Sequence, residues 1–113
     1  MLNQIVLVGR VKELPAIRES ANGNKYANLL LELDRPFKNS NGIYEQDYIT
    51  IVLWKGIAET VTDICQIDDI IGVKGRIQSY SYEGKDGQMY RSYDIIAEKI
   101  SFLNKNHTET LNS

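Results

Sequence analysis

The 113-residue chain has one cysteine, one histidine and no excess of positive charge. It also lacks any apolar run near the roughly 20 residues needed to cross a bilayer. Each shortage excludes something. A lone Cys65 cannot close an intramolecular bridge, so nothing indicates an oxidising compartment, and Cys65 reads as a small buried apolar residue in a cytoplasmic protein. The N-terminal MLNQIVLVGR places no basic segment before its short apolar run, so neither export nor membrane insertion is expected. With His107 alone near the end, no Gly-rich phosphate loop and no His/Cys/Asp group at metal-ligand spacing, neither catalysis nor a metal or cofactor is expected. Asp68 and Asp69 are adjacent, point apart, and read as turn residues. Because 13 Lys+Arg face 15 Asp+Glu, the net charge is −2, and any surface for a polyanion must be local.

What is present is a series of short β-type runs in a chain of one-domain length. QIVLVGRV (4–11) is apolar on both faces, Ile5 and Leu7 on one and Val6 and Val8 on the other, so one face enters a core and the other needs a partner. In YANLLLELD, Ala27, Leu29, Leu31 and Leu33 share a parity, as do Ile49, Ile51 and Leu53 in IYEQDYITIVLWK; both read as half-buried strands joined by the polar connection DRPFKNSNG. GIAETVTDIC carries the one helical spacing, through Ile57, Ala58, Val61, Ile64 and Cys65. Two further strands, DIIGVKGRIQSYSY and MYRSYDIIAEKISFL, meet at a hairpin marked by Asp86-Gly87, with Ile71, Val73, Gly75 and Ile77 inward. Five strands with a short helix between the third and fourth predict an all-β OB-fold, a small Greek-key barrel, over residues 1–103. NKNHTETLNS (104–113) has no periodicity and is expected to be a frayed, disordered tail.

Parity also selects an outer face. Opposite the inward residues of the fourth strand stand Lys74, Arg76, Gln78, Tyr80 and Tyr82, and the third strand places Tyr48 and Trp54 on its non-core side, about 20 Å apart, with Lys55 following. Rings interleaved with cations along strands suit a polymer of flat bases and anionic phosphates, which is single-stranded nucleic acid. Tyr and Trp are also favoured in strands for packing and subunit contacts, and Tyr90 and Tyr93 are assigned to that role. A rival reading is an OB-fold module that presents the same rings to a protein partner.

MLNQIVLVGRV, IRESANG, ANLLLELDRPFKN, DYITIVLWKGIAE, IIGVKGRIQSYSYEGKDGQ and IIAEKISFL together resemble, in order and spacing, the bacterial single-stranded DNA-binding protein family, nearly colinearly to about residue 103. The resemblance implies an OB-fold, assembly as a homotetramer, and binding of single-stranded DNA with little sequence preference, in replication, recombination, repair or DNA uptake. It implies stacking roles for Phe37, Tyr48, Trp54 and Tyr82, and basic contacts from Arg18, Arg35, Lys55 and Arg76; Arg10 also matches a basic position of the family. The chain departs from the family pattern at Tyr80, where many relatives have arginine, at Glu19 and Asp34, and in CQIDD after the helix. These changes lower local positive charge, so weaker binding in salt is expected. The sequence stops at Ser113 without the family's long polar tail and acidic tip, so it reads either as a short paralogue, of the kind the family associates with mobile elements or DNA uptake, or as a truncated version of a longer protein, and tail-dependent recruitment of replication enzymes is in doubt.

Overall fold

The computed structural model describes residues 1–104 and the backbone of 110–112. These contain β1 (Ile5–Glu13), β2 (Arg18–Glu19), β3 (Lys25–Lys38), β4 (Tyr44–Trp54), α1 (Lys55–Ile64), β5 (Ile70–Glu83), β6 (Met89–Phe102) and β7 (Thr110–Asn112). The five long strands close on themselves. β1 pairs antiparallel with β5, β5 with β6, and β4 with β3, while β4 and β6 run parallel where Ile51 and Val52 face Ile95 and Ile96. β3 returns to β1 through Arg10↔Glu32 and Val11↔Leu31, which completes the barrel of an OB-fold. The two-residue β2, paired to the start of β3, was not expected. It makes the helix follow the fourth strand in chain order, which is the third of the long ones.

The alternation read from sequence is what fills the barrel. Val11, Ala27, Leu29, Leu31, Ile51, Leu53, Ile71, Val73, Ile100 and Phe102 are buried, and α1 adds Ile57, Ala58 and Val61 against β3 and β4. Cys65 is buried with them. Gly75 marks where the barrel ends and an arm begins, because a Cβ there would lie 2.0 Å from the carbonyl oxygen of Ile96. Beside it the β5–β6 register shifts by one residue, from Lys74↔Lys99 to Gly75↔Ala97. Past this bulge β5 pairs with β6 alone, and beyond the Ile95 and Ile96 pairing to β4 residues 78–83 and 89–94 form a projecting hairpin, turned at Gly87 with φ 78°.

Three expectations change. Ile77 is exposed, because it lies past Gly75, where the barrel no longer covers the inward face; Asn3 grips its backbone instead, its Nδ2 donating to the Ile77 carbonyl at 2.6 Å and its Oδ1 accepting the Ile77 N–H at 3.0 Å. The polar connection DRPFKNSNG is in part strand, since β3 runs on to Lys38 with a register shift between Asp34 and Lys38. Thr110–Asn112, read as part of a frayed tail, pairs antiparallel with Lys99–Ser101. That stretch of β6 has β5 on one side and lies beyond its short pairing with β4, leaving an edge to be covered. The rest of the expected tail, including His107, lies outside the described residues.

Candidate nucleic-acid interface

The β3–β4 register sets the outer face: Tyr26 lies opposite Trp54, Leu30 opposite Thr50, Glu32 opposite Tyr48 and Asp34 opposite Gln46. Trp54 is half-buried and leans on Tyr26, ring centroids 5.2 Å apart at 39°. Arg18 on β2 pairs directly with Tyr26, which brings that arginine to the rim of the same cluster. Lys55 takes φ 54°, a left-handed conformation that turns β4 abruptly into α1. Trp54, Lys55, Arg76 and Gln78 then line one groove of about 520 Å³, together with Asn24, Asp94, Ile96 and Ala97. Arg76 reaches Glu98 and Gln78 at 3.3 Å each, long contacts that leave it half exposed.

Tyr48 is 58% exposed, yet its hydroxyl is fixed, donating to Glu32 Oε2 at 2.8 Å. Glu32 is only 8% exposed, and its other oxygen accepts from Arg10 Nε and Nη2 at 3.0 and 2.9 Å. Arg10 also donates to Asp34 at 2.7 Å, and Lys12 lies 3.7 Å from Glu32. The electrostatics follow from these bonds. Tyr48 and Arg10 hold the Glu32 carboxyl below its ordinary range; Asp34 and then Glu32 raise the Arg10 guanidinium further, and Glu32 raises the Tyr48 phenol. Arg10 is therefore a structural member of the face, tying β1 to β3.

Arg35 and Phe37 occupy a different side of the β3–β4 hairpin. Arg35 donates to Asp47 and Glu45, at 2.8 and 2.7 Å, and both carboxylates have the parity opposite to Tyr48. Phe37 is 80% exposed in a groove with Arg35, Pro36, Lys38 and Glu45. Tyr44 went unselected in the sequence reading although it shares the parity of Tyr48 and Trp54; it lies opposite Lys38, whose Nζ is 5.5 Å from its ring centroid. The parity rule alone would have found it.

On the projecting hairpin Tyr80 and Tyr82 sit 6.2 Å apart, and Tyr82 stacks on Tyr90 across the strands at 5.7 Å. Asp86 accepts the Tyr90 hydroxyl, so Tyr90 packs as expected, but against a candidate stacking ring. Tyr93 does not pack within one chain: it is 62% exposed and pairs with Ser79 on the other face of the hairpin. The basic ladder of β5 is divided as well. Arg76 and Gln78 reach the Trp54 groove, whereas Lys74 lines another groove with Val6, Val8, Lys99 and Leu103.

A closed OB-fold barrel with an outer face of rings and cations is the class of protein that these features define. The chain matches the family model described as the single-strand binding protein family over residues 2–103, and it belongs to that family. Its members bind DNA and are not enzymes. The chain is 40% identical over 103 residues to single-stranded DNA-binding protein 3 of Listeria innocua, covering 91% of this chain and 64% of that protein. It is 37% identical to single-stranded DNA-binding protein B of Bacillus subtilis, with 91% of each covered. A crystal structure of a deletion mutant of the single-stranded DNA binding protein from Thermus aquaticus superposes with a TM-score of 0.74 at 26% identity, over 98% of this chain and 54% of that one. This chain thus spans less than two thirds of the Listeria protein. Among the described residues, no group of His, Cys, Asp and Glu could hold a metal ion, and no helix is long and apolar enough to cross a membrane.

Proposed function

We propose that this chain binds and protects single-stranded DNA without sequence preference, stacking bases on Phe37, Tyr48, Trp54, Tyr80 and Tyr82. Phosphates lie against Arg18, Lys55 and Arg76, with Lys74 extending the basic line along β5 and Arg35 serving beside Phe37. The observation that carries the reading is the groove where Trp54 lies beside Lys55, Arg76 and Gln78, at the end of a face that continues to Tyr48. A base offers flat faces and its backbone one negative charge per nucleotide, so a ring flanked by cations engages both. Any base has such a face, which makes the contact tolerant of sequence; duplex DNA hides it. The names of the Listeria and Bacillus relatives support the same ligand. Service in replication, recombination, repair or DNA uptake, in the cytoplasm, follows from that ligand.

The assembly proposed is a homo-oligomer, a tetramer built from dimers. Val6 and Val8 support it, being 65% and 56% exposed on one strand of a single chain, where water penalises an apolar stripe. The rival module that contacts a protein through the same rings does not require cations beside Trp54. Adding an oligo-dT strand should quench Trp54 fluorescence, because stacking on a base quenches the indole. Unchanged emission together with no mobility shift of the oligonucleotide would favour the protein-binding module.

A further inference from the structure

Arg35 is the one candidate phosphate contact that two carboxylates hold at once. Its Nη1 donates to Glu45 at 2.7 Å, its Nη2 donates to Asp47 at 2.8 Å, and its Nε lies 3.2 Å from both Asp47 oxygens. Asn39 holds the second Glu45 oxygen at 2.9 Å, so this carboxylate is braced toward the arginine. The three charges sum to −1. Arg35 and Glu45 lie beside Phe37 and Lys38, where a stacked base would bring its phosphate.

Resting on the reading of the chain as a single-strand binder, we propose that Glu45 and Asp47 are internal counter-anions. They occupy Arg35 in the free protein, and a phosphate must displace them to use it. The side-chain exposures make the exchange feasible: Arg35 is 50% exposed, Glu45 45% and Asp47 46%, so a released carboxylate passes straight into water. Glu32 cannot do the same for Arg10, because it is nearly buried and also holds Tyr48.

Two consequences separate masking from a general effect of negative charge. A phosphate arriving on a bare arginine releases a counterion, whereas one that displaces a carboxylate leaves that carboxylate to collect a cation, so the net release nearly vanishes. Arg35 in the native chain therefore adds little to the salt dependence of binding. Its removal also matters little until the carboxylates are gone.

The test is a double-mutant cycle on the full chain, titrating oligo-dT against wild type, Glu45→Gln/Asp47→Asn, Arg35→Gln and the combined triple variant. The doubly neutralised chain should bind about fivefold more tightly at low salt, the equivalent of two exposed ion pairs released. Its slope of log affinity against log salt should steepen by about 0.7, one additional phosphate. Arg35→Gln should cost less than about twofold in the native background and about fivefold or more in the neutralised one. Equal costs in both backgrounds, or no gain from neutralisation while the wild type binds, would overturn the masking and leave the DNA reading intact. No binding by the wild type would remove both. Thermal melting guards against misfolding, and should the double variant melt early, the single Glu45→Gln carries the same cycle with a gain of about twofold.

Discussion

Trp54 and Tyr48 are held to the same face by different means, and their substitutions should separate accordingly. Trp54 leans on Tyr26 and flanks the groove of Lys55 and Arg76, so Trp54→Ala should weaken binding of oligo-dT by about 1–3 kcal/mol, read by titration. Tyr48 is anchored by Glu32, which couples the face to pH. Glu32 has a folded pKa below its unfolded value of about 4.3. Between the two values the unfolded chain binds a proton that the folded chain does not, so this stability is complete above about pH 4.3 and is lost as pH falls through the folded value. Asp34 and Asp47, lowered by Arg10 and Arg35, act in the same direction. Glu32→Gln should lower the urea midpoint at neutral pH and narrow its difference from the midpoint in acid; an undiminished difference would place the acid sensitivity elsewhere. Parity made Tyr48, Trp54 and Arg76 legible in the sequence, because a period of two assigns each side chain to a face. It could not reveal the carboxylates on Arg10 and Arg35. Those pairings cross between strands, and register is not written in any one strand.

At the scale of elements, the barrel strands were legible because each buries one face, while the places where the expectation failed are those where burial stops. Ile77 continues the inward alternation of β5 but lies past Gly75, where β5 is paired only with β6. Gly75 is the joint between barrel and arm. Gly75→Ala would drive a methyl into the Ile96 carbonyl and should cost about 1–3 kcal/mol in denaturant unfolding, as overpacking does. It should also move Arg76 away from Trp54 and reduce DNA affinity. Gly56, at the start of α1, is the contrasting case: a Cβ there meets nothing within 4 Å. Gly56→Ala should raise stability by about 0.4–1 kcal/mol, chiefly by restricting the unfolded chain. If both substitutions changed stability alike, the close approach at Gly75 would not be the strand-pairing constraint described here. β2 and β7 were not legible, being two and three residues long, too short for any alternation to register.

At the scale of the whole molecule, a chain of net charge −2 that binds a polyanion must concentrate attraction in a few side chains and supplement it with contacts that salt does not screen. The proposed oligomerisation would multiply those few contacts along one strand of DNA. Light scattering should therefore give a mass several times 12.9 kDa, and Val6→Ser/Val8→Ser should reduce it; a wild-type monomer at micromolar concentration would contradict the assembly. The central claim, that exposed rings and a local set of cations together hold single-stranded DNA, is tested most directly by titrating single-stranded and duplex oligonucleotides of equal length at two salt concentrations. Three to five phosphate contacts per subunit at about −0.7 each give a slope of log affinity against log salt of roughly −2 to −4 per subunit. Masking of Arg35 places the result toward the shallow end. Stacking should leave measurable single-strand affinity at high salt, with the duplex bound far more weakly at both concentrations. Equal affinity for the two forms, or no binding to either, would contradict the account.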